Sequence, residues 1–203
     1  MRAILSDLDG VLVDSHASIM RAWRWWGARH GIADDAIAAI PQGRPSREVI
    51  AMLAPHLDAA AESEAVEGHE VHDTEGLVAL PGAHELLALD EPVAVVTSGT
   101  VPLATARLRA VGLPIPDVLV TPERLTRGKP DPEGYLLAAR ELAADPAQCV
   151  VLEDAPAGIA AGRAAGMHVV GITTTYAVAE LHEAHELAPS IAAWLRSRGN
   201  GAR

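Results

Sequence analysis

Phenylalanine is absent from this 203-residue chain, and only two tyrosines and four tryptophans occur. A core must therefore be packed from Ala, Val, Leu and Ile, which with the other apolar residues make up 49% of the chain. Cysteine is reduced to Cys149, so no internal disulfide can form, which fits a reducing cytosol. No stretch approaches the roughly 20 apolar residues of a membrane span, and the chain opens directly into Ala3-Ile4-Leu5 without a charged-then-apolar leader. Positive charge is also scarce: the formal net charge is −11, and the arginines are scattered rather than gathered. That excludes the basic clustering by which nucleic-acid and anionic-membrane binders gain affinity. A cytoplasmic protein with no obligate protein partner is expected.

Short apolar runs at Ala3 to Ser6, Val93 to Thr97, Val118 to Val120, Cys149 to Leu152 and Val169 to Gly171 read as buried strands. Helical windows at about 101–111, 132–143 and 156–166 separate the later ones. This alternation predicts an α/β fold, a doubly wound parallel sheet covered on both faces. Between 16 and 79 the alternation stops. Ser18 to His30, Asp34 to Ala39, Ser46 to Leu53 and Ala59 to His72 read as helices, with no convincing strand among them. The expected organisation is a core of residues 1–15 and 80–203 and an all-helical cap at 16–79, hinged near Asp14 to His16 and Val78 to Gly82. Arg196 to Arg203 is expected to fray.

Ligands of a parallel sheet sit beyond the carboxyl ends of its strands. Those positions hold Asp7-Leu8-Asp9-Gly10, Thr97-Ser98-Gly99-Thr100, Arg127-Gly128-Lys129-Pro130 and Glu153-Asp154. The set suits phosphoryl transfer. Carboxylates from separate strand ends can hold Mg²⁺, and the metal and Lys129 offset the charge of a phosphate beside a carboxylate nucleophile. A second carboxylate, Asp9, can protonate a leaving alcohol and then activate water. Thr97, Ser98 and backbone N–H groups around Gly99 can hold phosphoryl oxygens. Lys129 is the chain's only lysine, against fifteen arginines, and falls where a compact ammonium is wanted.

Asp7 through Ser15 matches the pattern Asp-x-Asp-Gly-x-x-x-Asp-Ser, and Thr97-Ser98, Lys129 and Glu153-Asp154 follow in order. The sequence resembles the haloacid dehalogenase superfamily of phosphohydrolases, in the branch with a helical cap after the first strand. The runs around Thr97, Lys129 and Glu153 are similar to those of sugar-, hexitol- and glycerol-phosphate phosphatases. The resemblance implies Asp7 as nucleophile forming an aspartyl-phosphate, Asp9 as acid/base, and Mg²⁺ held by Asp7, the main-chain oxygen of Asp9 and Asp154, with Glu153 supporting that shell. It implies a small phosphorylated sugar or polyol as substrate. Asp9 separates the chain from the dehalogenases, which lack that second aspartate. A cap without lysine separates it from the phosphonate-cleaving relatives. β-Phosphoglucomutase is the nearer alternative, but its cap histidine aligns with Ile19. Phosphoglycolate phosphatase is a further alternative, and a receiver-like phosphoacceptor module the remote non-enzyme one.

Beside the Gly43 turn, Arg44 and Arg47 are candidates for gripping substrate from the cap, or else solvated charges. The acidic run Glu62 to Glu75 reads as a solvated helix face, from which Glu67 or Glu70 could reach a polyol hydroxyl. Gly158, Gly162 and Gly166 share a helix face in this reading, and let it approach the sheet. Trp23 and Trp26 share a helix face and read as internal packing of the cap, or else as the lining of a sugar-binding pocket. His69/His72 and His182/His185 have i, i+3 spacing but no evident third metal ligand.

Overall fold

The computed structural model describes residues 2–40 and 45–200. From the N-terminus, β1 (Ile4–Ser6) and β2 (Val13–Asp14) lead into four helices, α1 (His16–His30), α2 (Asp34–Ala38), α3 (Ser46–Leu53) and α4 (Ala59–His72). Then come β3 (Val78–Ala79), α5 (Ala83–Leu87), β4 (Val93–Val96), α6 (Val101–Ala110), β5 (Val118–Val120) and α7 (Glu133–Glu141). The chain finishes with β6 (Val150–Glu153), α8 (Pro156–Ala164), β7 (His168–Ile172), β8 (Glu186–Ala188) and α9 (Ile191–Asn200).

Six strands form one sheet in the order β5-β4-β1-β6-β7-β8, and every neighbouring pair is parallel. Side chains alternate across β1: Ile4 packs with Leu86, Leu108 and Trp194 from α5, α6 and α9. Its neighbour Leu5 points the other way, into Tyr135, Ala138 and Ile159 from α7 and α8. Both faces are thus covered, which is why the strands read as unbroken apolar runs. Successive strands are laid down on opposite sides of β1, so the crevice beyond its carboxyl end is the switch point where such sheets bind ligands.

The helical insert has its own core, in which Trp23, Trp26, Ile37, Ile50 and Val66 are buried together. Asp58 caps α4, its carboxylate accepting from the N–H groups of Ala60 and Ala61. Arg21 on α1 is paired at 2.6 Å with Asp73 just past α4, tying the first and last helices of the insert.

The sequence expectations fail in four places. Val78–Ala79 is a strand, paired antiparallel with Val13–Asp14, so the two chain crossings into the insert are laced together. Two residues are too short a run for periodicity to register. β8 was also unanticipated, because its alternation is broken by the exposed Leu187. Of the tail expected to fray, Arg196 to Asn200 lie within α9, whose Trp194 anchors it to the sheet, and residues 201–203 lie outside the described residues. Gly166 is not on the face of α8: it follows that helix with φ +74°, a left-handed stop. Gly162 behaves as expected, since a Cβ there would come within 2.8 Å of Val169.

Candidate active site

Asp7 directly follows the central strand, where its N–H donates to Leu152 O on the neighbouring β6 (2.9 Å). The N–H of Leu8 donates to Asp7 Oδ1 at 2.7 Å, fixing the carboxylate at the sheet edge. Gly10 turns the chain with φ +75°, and a Cβ there would lie 1.9 Å from Asp154 Oδ2. Only glycine lets this turn and Asp154 share the space.

Lys129 reaches in from the loop after β5. Its ammonium lies 3.0 Å from Asp7 Oδ1 and 2.6 Å from Glu153 Oε1, and donates to Val96 O at 3.2 Å. An ammonium has three donors, and here three acceptors surround it. Glu153 is fully buried at the end of β6. Tyr135 Oη donates to it at 2.7 Å, and the N–H groups of Asp154 (3.2 Å) and Ala155 (3.4 Å) point at its other oxygen. Gly158 makes room for that carboxylate in the first turn of α8, since a Cβ would meet it at 1.7 Å.

One carboxylate oxygen from each of Asp7, Glu153 and Asp154 lies within 4.8 Å of the others. Burial, then the charge of Glu153, pushes Asp7 up to about 7 against the opposing pull of Lys129. The same two causes raise Asp154 well above the usual carboxylate range. Three crowded carboxylates beside one ammonium are short of positive charge, and a small hard cation with oxygen ligands fits that donor set.

Asp9 lies two residues beyond Asp7. Its Oδ1 accepts from Ser15 Oγ and its Oδ2 from Arg107 Nη1, each at 2.6 Å. Thr97 is buried with its hydroxyl accepting from the N–H of Gly99 (3.0 Å), which leaves the hydroxyl hydrogen free to donate. Ser98 and Gly99 face a cavity of about 640 Å³, together with Asp7, Asp9, Lys129, Glu153 and Asp154. The insert roofs this cavity through Ile19, Trp23, Ser46, Glu67 and Glu70.

The cap candidates fare differently. Arg47 is exposed and is not among the cavity residues; Arg44 lies outside the described residues. Glu70 is buried rather than solvated, and burial pushes it up to about 7 even though it is paired with Arg107. Glu67 also lines the cavity, with its carboxyl raised by burial. Trp23 and Trp26 pack edge to face with centroids 5.6 Å apart, and Trp23 also lines the cavity whereas Trp26 does not. His69 stacks on Trp25, and His185 Nδ1 accepts from the N–H of Val169.

Sequence reasoning missed Arg107, Tyr135, Thr174 and Thr175. Thr174 donates to Gly10 O, and Thr175 bonds Asp154. Both threonines follow β7, so asking what lies beyond that strand would have found them. Arg107 sits mid-helix among apolar neighbours, where an arginine carries no signal in sequence that its side chain is buried.

A family model described as haloacid dehalogenase-like hydrolase matches residues 1–166. Hexitol phosphatase A of Escherichia coli K12 is 45% identical over 190 residues, covering 90% of this chain and 88% of that protein. Validoxylamine A 7'-phosphate phosphatase of Streptomyces hygroscopicus subsp. limoneus is 38% identical, covering 92% of each. Among solved structures, a hydrolase from Pseudomonas syringae superposes with a TM-score of 0.85 at 28% identity, each chain fully covered. The chain belongs to the haloacid dehalogenase-like hydrolases.

Proposed function

We propose that the chain is a Mg²⁺-dependent phosphomonoesterase acting on a small phosphorylated sugar, hexitol or glycerol through an aspartyl-phosphate on Asp7. One observation carries this reading: Asp7, Lys129, Glu153 and Asp154 converge at the switch point, with Asp9 facing the same cavity. Relatives named for hexitol and validoxylamine phosphates support the substrate class. The cavity volume lies within the range of about 300–1,000 Å³ usual for small-molecule sites.

In this mechanism an oxygen of Asp7 attacks phosphorus, the ester P–O bond breaks, and the departing oxygen takes a proton from Asp9. Asp9 then takes a proton from water, whose oxygen attacks the aspartyl-phosphate, freeing inorganic phosphate and restoring Asp7. Ser98, the free hydroxyl hydrogen of Thr97 and Lys129 hold the phosphoryl oxygens beside Gly99, whose N–H stays on the Thr97 hydroxyl. Lys129 turns toward them the donor it otherwise gives Asp7. Asp7, Asp154 and the main-chain oxygen of Asp9 would hold Mg²⁺, which when bound offsets the charge of phosphate beside Asp7. Glu153 acts mainly by anchoring Lys129, because its oxygens are already engaged by Lys129, Tyr135 and backbone N–H groups. The helical insert serves as a cap, opening at the paired β2 and β3 crossings for entry and closing to exclude water. Ile19 lines the cavity with an apolar side chain that offers no hydrogen bond, which favours hydrolysis over the mutase cycle.

Phosphate release across sugar, polyol and glycolate phosphates, with Mg²⁺ and with a chelator, tests the reading. Turnover of a hexitol phosphate is expected, lost on chelation. Turnover that persists in chelator, or no release from any ester, would overturn it. Substituting Arg47 with Ala is expected to leave KM within about twofold, as is usual for an exposed residue away from the site.

The proton balance makes a separate prediction. Without metal, Asp7 holds its proton up to about pH 7, whereas in the unfolded chain an aspartate releases it near pH 4. Across that window the folded state binds more protons, so metal-free stability falls as pH rises through about 7. A divalent cation must displace those protons, so it binds more tightly as pH rises. The increase in unfolding midpoint caused by a fixed excess of Mg²⁺ should be larger at pH 8 than at pH 6. Equal shifts would remove Asp7 from the metal site.

A further inference from the structure

We propose that Arg107 is the residue through which the helical insert sets the position of Asp9. Its side chain is 3% exposed and projects from α6 of the sheet's own layer. One terminal nitrogen, Nη1, donates to Asp9 Oδ2 at 2.6 Å, while Nη2 donates to Glu70 on α4 of the insert. The guanidinium is therefore a bridge, with Asp9 on one side and the roof of the cavity on the other. A planar fork directs two separate terminal nitrogens at two carboxylates on different elements, with the angle between them fixed.

The second restraint on Asp9 sits at the crossing into the insert. Ser15, which donates to Oδ1, stands immediately before α1. Each oxygen of Asp9 is thus held by a donor whose place depends on where the insert sits. Arg107 Nε is buried with no hydrogen-bond partner among the described residues, while both Nη groups reach carboxylates. With the insert docked, Glu70 fixes Arg107 and Arg107 fixes the Asp9 carboxylate. With the insert swung away, Arg107 loses Glu70, and the carboxylate is free to turn. Proton transfer by Asp9 is in this way confined to the covered site. This inference rests on the reading of Asp9 as the proton shuttle.

The test separates steps that need Asp9 from the step that does not. Expulsion of p-nitrophenolate needs no proton, whereas expulsion of a hexitol alkoxide and hydrolysis of the aspartyl-phosphate both do. With the full chain and Mg²⁺, Arg107→Met should lower kcat on a hexitol phosphate by about 10²-fold, the scale of a 1 Å misplacement. The burst rate of p-nitrophenol release from p-nitrophenyl phosphate should stay within about threefold, since that step gains nothing from general acid help. Arg107→Lys should not rescue the loss. Glu70→Gln should give the same pattern, weaker, and should add little on the Arg107→Met background.

Asp9→Asn is the control and should show the pattern more strongly. If Asp9→Asn hydrolyses hexitol phosphate normally, the proton-shuttle reading falls. If it shows the pattern and the Arg107 and Glu70 variants do not, the bridge falls alone. Burst and steady-state rates falling together in both Arg107→Met and Glu70→Gln would make Arg107 a structural ion pair, and would overturn the proposal.

Discussion

Asp7→Asn should abolish phosphate release, by at least about 10⁴-fold, the scale on which loss of a covalent nucleophile is felt. It should do so without harming the fold. The asparagine carbonyl can still accept from the N–H of Leu8, so the turn after β1 keeps its local bond. Lys129 keeps Glu153 and Val96 O as acceptors. What is lost is a negative charge that the site tolerates poorly: burial and Glu153 together already push Asp7 up to about 7. In chelator at pH 8, where Asp7 is ionised, the variant should match or exceed the parent in stability. A gain of about 0.5–2 kcal/mol is the expected range for relieving a functional strain of this kind. Below about pH 6 the gain should vanish, because there the parent aspartate is itself protonated. Phosphate release within tenfold of the parent would remove Asp7 as nucleophile. A pH-independent stability difference would show that its charge is not the source of the cost.

The stability and activity of this site therefore pull in opposite directions, and the sequence already carried the reason. Asp7, Asp9, Thr97, Lys129, Glu153 and Asp154 were legible because each follows an apolar strand, and parallel topology brings strand ends to one edge. Residues placed by backbone topology can be located from periodicity alone. Arg107 and Glu70 could not be. Each lies on a helix, where spacing tells which face a residue occupies but not which neighbouring helix covers that face. The docking of α4 against α6 decides both, and nothing local encodes it. Glu70 therefore read as part of a solvated acidic run from which it or Glu67 could reach a polyol hydroxyl, although it is 6% exposed and paired with Arg107. The hinges were expected near Asp14 to His16 and Val78 to Gly82, where β2 ends and β3 begins, but the pairing of those two strands was not seen. A two-residue ladder is specified by where the flanking units sit, not by its own sequence.

Removing the chain's only lysine should produce the second large effect, and of a different kind. Lys129→Met keeps the length of the stem while deleting the ammonium that Asp7, Glu153 and Val96 O surround. Two consequences follow from the one change. Catalysis loses a buried donor to the phosphoryl group, worth about 10²–10³-fold in kcat. Folding loses the cation between two carboxylates, and breaking a buried pair by deleting one partner costs on the order of 3–5 kcal/mol. The stability deficit should depend on pH with a definite sign. Lys129 is the group that holds Asp7 down, so without it Asp7 retains its proton to higher pH. Above about pH 7 the folded variant keeps a proton that the parent's Asp7 has released, so its deficit shrinks as pH falls toward about 7 and is constant below that. Lys129→Arg should not restore activity, because a flat guanidinium cannot place three donors on acceptors grouped around one nitrogen. Denaturant melts at pH 5.5 and pH 8, chosen to lie roughly either side of the Asp7 transition, together with kcat on a hexitol phosphate, check all three statements. If Lys129→Arg were as active as the parent, positive charge alone would suffice, and the threefold placement of the ammonium would have no part in the chemistry.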